Sequence, residues 1–431
     1  MFLIFLCVFG ACFVVALFKY PAIALSALLC LFGVKQWLQS INPFIAVYRT
    51  IPNWFIGGII ALALIIKFVR SGSVLTAYPK AGWIVIGLLT YALVSTSWSP
   101  LPMDVTWDLW AGTLPYLLMA VVAPLLITST EDLSLAYKGL LVIGVGLVLL
   151  LLLTSNWTAH GVVIRVDRRV TEGNPLAVAL MAGYVSSAAI MMNFGKKWRL
   201  WSFLRWLIAG ACMALAVKSG SRGQFFAMLF CAAALLPFSR KMARPSHFVI
   251  LVVSLILLGS LGIWAFHSFS GASSRWETTR MEVDAYDRLN MAGRLLKCWY
   301  ETPSAIVFGL GNSSSFDPKI VGFYPHMVPL EILGEEGLIG FSLFIIILVV
   351  SVRCFIRIFK RVQMEETKRG TLAALGAMVC LELILSCKEG SFIGNSFLLF
   401  FLIVLGKYEA VLSRENKRIA QRAALSLGPG R

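Results

Sequence analysis

Apolar runs long enough to cross a lipid bilayer recur from one end of this chain to the other, and that recurrence restricts the fold more than any other feature. A hydrocarbon core about 30 Å thick needs roughly 20 apolar residues per helix, because each residue rises only about 1.5 Å. The runs fall near residues 2–18, 22–34, 54–69, 81–97, 111–128, 137–154, 175–193, 201–218, 223–238, 247–266, 327–350, 371–387 and 392–407. Backbone amides and carbonyls cannot reach water in that layer, and a helix satisfies them within each run. The chain therefore reads as an all-α polytopic integral membrane protein, a single domain over 1–431 with about 12 transmembrane helices. The short runs on either side of Lys19-Tyr20-Pro21 are either a tight hairpin or one broken span. Composition agrees, since 59% of the 431 residues are hydrophobic and 14% are charged, far from the balance of a soluble domain. Residues 2–18 carry neither a basic leader nor a small-residue cleavage pattern, so they are expected to stay in the mature chain.

Basic residues beside spans resist translocation and so set orientation. Lys196, Lys197, Arg199 and Arg205 mark one inner loop. Arg240, Lys241 and Arg244 mark a second, and Arg353, Arg357, Lys360, Arg361, Lys368 and Arg369 a third. The tail adds Lys407, Arg414, Lys417, Arg418 and Arg422. Alternation then puts 98–110, 155–174, 219–222, 267–326 and 388–391 on the outer face, while the basic loops at 35–53 and 67–80 leave the N-terminal side open. The formal net charge of +17 is thus a matter of topology and lipid headgroups, and it excludes no membrane role while giving no support to nucleic-acid binding. The one large outer loop, 267–326, is neutral: Arg275, Arg280, Arg288, Arg294, Lys297 and Lys319 stand against Glu277, Glu282, Asp284, Asp287, Glu301 and Asp317.

Of nine cysteines only Cys298 lies in that loop, and the others fall in or beside apolar runs, so no intraloop disulfide is available. His160, His247, His267 and His326 are far apart in sequence, and no CxxC or HExxH spacing occurs, so no metal site and no cofactor are expected.

The outer loop holds most of the polar chemistry. Residues 275–300 form an amphipathic pattern that predicts a helix lying on the membrane surface, stopped at Pro303. Gly309, Gly311, Asn312 and Ser313 predict a turn-rich return, with Tyr324-Pro325-His326 opening the next span. Upstream, Lys218-Ser-Gly-Ser-Arg-Gly223 breaks two apolar runs at the outer boundary. A cation there either snorkels to lipid phosphate or binds an anionic ligand, with Lys218, Ser221 and Arg222 as the donors. Arg294 either balances Asp287 or Glu301 on a solvated face or meets the same ligand. His326 either caps the helix that follows or transfers a proton, for which its ordinary titration range is suited.

Taken in order, Gly173-Asn174-Pro175, Ser221-Arg222-Gly223, Gly293-Arg294 with Trp299, Pro303 through Gly309 and Gly311, and His326 followed by Leu330, Glu331, Gly337 and Gly340 resemble the O-antigen ligase and O-antigen polymerase superfamily of bacterial envelope glycosyltransferases. The resemblance covers about residues 173–345, and the flanks share only hydropathy. Met327 departs from the family, which commonly has Asn after this histidine.

The resemblance implies a multi-pass protein of the bacterial inner membrane with its active site toward the periplasm. It implies an undecaprenyl diphosphate-linked glycan as donor, with lipid A-core (ligase) or a growing lipid-linked glycan (polymerase) as acceptor. By the same likeness Arg222 and Arg294 would hold the diphosphate, and His326 would orient or deprotonate the acceptor hydroxyl. Transfer would be metal-independent and inverting; the acidic residues Glu277, Glu282, Asp284 and Asp287 are spaced as a solvated face rather than as a retaining pair. The ligase reading is favoured because one long outer loop carries the motifs. Two other classes remain: an ion-coupled transporter using Glu382, which lies within an apolar run, and a non-enzymatic membrane scaffold.

Overall fold

The computed structural model describes residues 10, 13–71, 78–158, 161–166, 169–194, 200–240, 249, 252, 253, 256, 259, 260 and 278–426. The expected span at 247–266 lies mostly outside them, as do much of 2–18, the start of the outer loop, and Lys196, Lys197, Arg199, Lys241 and Arg244.

The short N-terminal pair is a broken element: α1 (Ala24–Leu29) follows the 3-10 turn Pro21–Ile23 and meets α2 (Leu31–Ile41) at a bend of 62°. After α3 (Pro43–Val47) come α4 (Ile51–Ser71), α5 (Lys80–Ser95), α6 (Met103–Val122) and α7 (Thr130–Thr154). A hairpin sheet of β1 (Trp157–Thr158), β2 (Gly161–Val166) and β3 (Arg169–Glu172) leads into α8 (Pro175–Met191), α9 (Trp201–Lys218) and α10 (Arg222–Ser239). The 267–326 loop contributes α11 (Thr278–Glu301) and α12 (Pro303–Phe308). It runs into α13 (Val328–Val362), α14 (Glu366–Ser386) and α15 (Ser396–Ser426). Among the described residues, 8 helices are long and apolar enough to cross a membrane, or up to 9 if the bent pair is one span. The α8 segment is a shorter apolar helix of 17 residues.

One departure from the all-α expectation is the sheet. Val163 pairs with Glu172 and Val166 with Arg169 in antiparallel register, and Val162 and Ile164 bury on one face. Alternating β-branched residues favour a half-buried strand, and the 155–174 loop is long enough to turn back on itself.

Burial separates an inner layer from a lipid-facing one. The most apolar windows of α14 and α15 are 83% buried, against 28% for α13 and 39% for α4, α5 and α6. Helix α8 is buried along almost its whole length and packs against α7, α9, α10 and α14. Its small residues, Ala177, Ala179, Ala182, Ser186 and Ala189 among them, permit that close approach, which is what drives helix association where the solvent is itself apolar. On the outer layer Trp54, Phe55, Val69 and Leu153 are exposed, as side chains in contact with acyl chains should be.

The two ends of the bundle are distinct. At one end α2 and α3 pack on β2, Lys218 Nζ donates to the Leu152 carbonyl (3.1 Å), and Tyr91 donates to the Phe308 carbonyl (2.9 Å). At the other end Lys67 Nζ donates to the Leu126 carbonyl (2.5 Å) and pairs with Asp132 (2.8 Å), and Asn193 donates to the carbonyls of Ser239 and Glu366. Residues 35–53 therefore share an end with the hairpin and the outer loop, and Lys67 belongs to the opposite end. This settles the relative placement that the basic N-terminal loops left open.

Helix α13 is broken at Gly337, whose φ of 63° and ψ of −165° suit glycine alone. The loop fills the break: the amides of Leu310 and Gly311 donate to the carbonyls of Gly334 (3.0 Å) and Glu335 (2.9 Å). Side chains reinforce it. The Glu335 carboxylate accepts from the amides of Ser313 (2.8 Å) and Ser315 (3.0 Å), and Glu336 accepts from Asn312 Nδ2 (2.9 Å). Asn312 in turn accepts from the Trp110 indole (3.0 Å) and takes the Ser95 hydroxyl as acceptor for its amide (3.0 Å). The 267–326 loop is thereby fastened to α5, α6 and the first part of α13.

Candidate functional site

At the loop-bearing end, α9 stops at Lys218 and the chain turns through Gly220 into α10. Ser221 is buried, with its hydroxyl donating to the Pro175 carbonyl (3.1 Å) and bonded to Ser219 Oγ (2.9 Å). Lys218 Nζ sits 5.7 Å above the Trp157 ring while bonded to the Leu152 carbonyl. These two expected ligands are thus engaged in holding the turn and the hairpin.

Arg222 instead faces a cavity of about 550 Å³. On α10 the lining residues Arg222, Phe226 and Phe230 recur every four positions, which puts them on one stripe of the helix. Opposite them are Ile384 and Lys388 at the end of α14, and Arg288 from α11. The cavity therefore has a cationic mouth and an apolar floor. Gly223 belongs to its wall, and an ideal Cβ there would stand 2.1 Å from Lys388 Nζ.

Glu389 is a carboxylate in direct contact with this group. It lies 3.5 Å from Lys388 Nζ and accepts from Gln224 Nε2 (2.5 Å). Burial raises its pKa, with Lys388 opposing. Burial lowers that of Lys388, opposed by Glu389 and reinforced by Arg288 and Arg222. Among the described residues, Arg222, Arg288 and Lys388 bring three cations to the cavity, with Glu389 beside Lys388. Clustered cations in partly buried surroundings suit an anionic ligand, and two guanidiniums offer forked donors to phosphate oxygens.

His326 stands two residues before α13, ahead of the N-cap Met327, in a left-handed conformation, φ 59°. Its ring stacks edge-on with Tyr324 (4.4 Å between centroids) and lies 5.5 Å from Phe323. Burial, and then the charges of Arg288 and Lys388, push its pKa down to about 4. The imidazole is therefore neutral at physiological pH and able to accept a proton. Tyr324 beside it is pushed up by burial and by Glu331 and Glu389.

Arg294 lies elsewhere on α11. It is exposed, donating to the Val321 carbonyl at 3.4 Å, and it does not line the cavity. Six residues along a helix turn by about 240°, so Arg288 and Arg294 cannot share a face. Of the residues singled out in the sequence, the structure groups Arg222 and His326 about Arg288 and Lys388. It leaves Lys218, Ser221 and Arg294 outside the cavity lining, and His326 too stands outside it, linked to the site through the charges of Arg288 and Lys388. Arg288 was visible in the sequence only as one charge in a balanced loop. Lys388 and Glu389 were visible as a charged pair at the end of an apolar run, which is itself a signal at a membrane boundary. No family model and no curated protein matches this chain.

Proposed function

We propose that the protein is a membrane glycosyltransferase that moves a glycan from undecaprenyl diphosphate to an acceptor hydroxyl at the periplasmic face of the bacterial inner membrane. The reading takes it as an O-antigen ligase with lipid A-core as acceptor. The observation that carries it is the cavity whose cationic mouth, Arg222, Arg288 and Lys388, opens onto an apolar floor of Phe226, Phe230 and Ile384. A diphosphate esterified to a long isoprenoid has that same division of charge and apolar surface.

In this reading the acceptor oxygen attacks the anomeric carbon as the bond from that carbon to the diphosphate oxygen breaks. The leaving diphosphate carries away the bonding electrons, and the three cations stabilise the charge it gains. Neutral His326 takes the proton of the acceptor hydroxyl. One displacement inverts the anomeric centre. The order of motifs from Ser221-Arg222-Gly223 to His326 supports the family assignment.

The test uses purified full-length protein in detergent, undecaprenyl diphosphate-linked glycan, and lipid A-core. Glycan-bearing lipid A-core formed equally in excess EDTA and in added magnesium is the expected result. A ladder of lengthening glycan on the carrier lipid without lipid A-core would assign the polymerase activity instead. No product under either condition, with flux that follows an ion gradient in vesicles, would replace the reading by transport.

A further inference from the structure

The end of the bundle opposite the cavity gathers a second set of guanidiniums. Four backbone segments meet there: the end of α8, the start of α9, the end of α10 and the turn into α14. Arg205 Nη1 donates to the Ile190 carbonyl (3.1 Å), and Asn193 Nδ2 to those of Ser239 (2.7 Å) and Glu366 (3.2 Å). Arg369 donates to the carbonyls of Phe238 (3.4 Å) and Gln363 (3.3 Å). Arg240 follows Phe238 by two residues, and its charge acts on Arg205.

Among the described residues this corner lacks an anion of matching strength. Arg205 is 4% exposed and Arg369 7%, and the acceptors they use are backbone carbonyls. Glu366 is the carboxylate that acts on Arg240 and Arg369, so three guanidiniums face one carboxylate, 3 − 1 = +2. Two buried donors, Arg240 Nε and Trp201 Nε1, have no hydrogen-bond acceptor. Buried N–H groups are nearly always paired, and beside the guanidiniums an anionic acceptor suits these two.

We propose that the corner formed by Arg205, Arg240 and Arg369 binds a phosphate group, with Arg240 Nε and Trp201 Nε1 donating to its oxygens. Leu200, Phe203 and Phe238 are exposed alongside, and an acyl chain would lie against them, so an acidic phospholipid of the adjacent leaflet is the expected carrier. The site is separate from the cavity and does not depend on the glycosyltransferase reading.

The experiment measures the melting temperature of the purified full-length protein in detergent as phosphatidylglycerol, phosphatidylcholine or inorganic phosphate is added. Phosphatidylglycerol should raise it by several degrees and phosphatidylcholine should not. Arg240→Gln should lose most of the rise, and Arg240→Lys, which keeps the charge, should retain part of it if the glutamine variant fails to fold. Arg222→Gln, at the opposite end, should keep the rise in full. Inorganic phosphate matching the lipid in wild type but not in Arg240→Gln would support the phosphate site with a soluble source. No stabilisation of wild type by either probe would overturn the proposal. So would an unchanged rise in Arg240→Gln and Arg369→Gln, or a rise lost only in Arg222→Gln.

Discussion

The ammonium of Lys388 occupies the space that a side chain at position 223 would need, 2.1 Å from an ideal Cβ on Gly223. The glycine in Ser221-Arg222-Gly223 is therefore explained by a contact across the cavity rather than by helix geometry. Gly223→Val should push Lys388 off the cavity wall and lower transfer at least tenfold, while the protein still inserts. Lys388→Ala combined with Gly223→Val should cost little more than Lys388→Ala alone, since both remove the same cation. Transfer rates of the four proteins in a double-mutant cycle test this, and strict additivity would refute the shared cause.

The arginines rank differently by geometry than by motif. Arg222→Ala and Arg288→Ala should each reduce transfer by about 10²-fold or more, as expected when a donor to developing charge is lost. Arg222→Lys should recover little, because a point charge lacks the guanidinium fork. Arg294→Ala should cost less than Arg288→Ala, given its exposed position and its bond to Val321. Equal or larger loss at Arg294 would place the diphosphate on the outer rim instead of in the cavity.

For His326 the pH dependence has a definite sign. Its pKa stands at about 4, so the base form persists through neutral pH and is lost as pH falls through about 4. Transfer should be flat from pH 8 down to about 5 and decline below. Removing a neighbouring charge in Arg288→Gln or Lys388→Gln should shift the acid limb upward, towards the ordinary histidine range. His326→Ala should lower the rate by roughly 10²- to 10⁴-fold without weakening donor binding. A pH profile unchanged in all three variants would make His326 a cap.

The polar fastening of the loop should be a stability element. Glu335→Ala strips the acceptor from the amides of Ser313 and Ser315, at about 1–3 kcal/mol for each stranded buried donor. The melting temperature should drop and the 302–316 segment should become cleavable by protease from the loop side. Glu335→Gln retains one acceptor oxygen and should be intermediate.

Much of the architecture was legible because hydropathy reports membrane helices directly: the runs at 54–69, 81–97 and 223–238 each sit inside or nearly coincide with a helix. Span count was less legible, since α8 is apolar through burial in protein and has only 17 residues. The hairpin was missed because a short β-branched stretch such as Gly161–Val166 has no membrane-scale signature. In the site, Arg222 and His326 stood out by their position at span boundaries. Arg288 did not, and the boundary position of Lys388 did not show its partners, because which face of α11 meets the end of α14 is a tertiary fact. Arg294 drew attention through its motif, and only the helical phase separates it from Arg288.

The break at Gly337 divides α13 into a part that answers to the bilayer and a part that answers to the loop. Membranes differ in thickness, and a spanning helix adapts by changing its tilt. With the carbonyls of Gly334 and Glu335 already claimed by loop amides, such a change in residues 338–362 should be absorbed at the glycine. His326 should then keep its place against the loop in bilayers of different thickness.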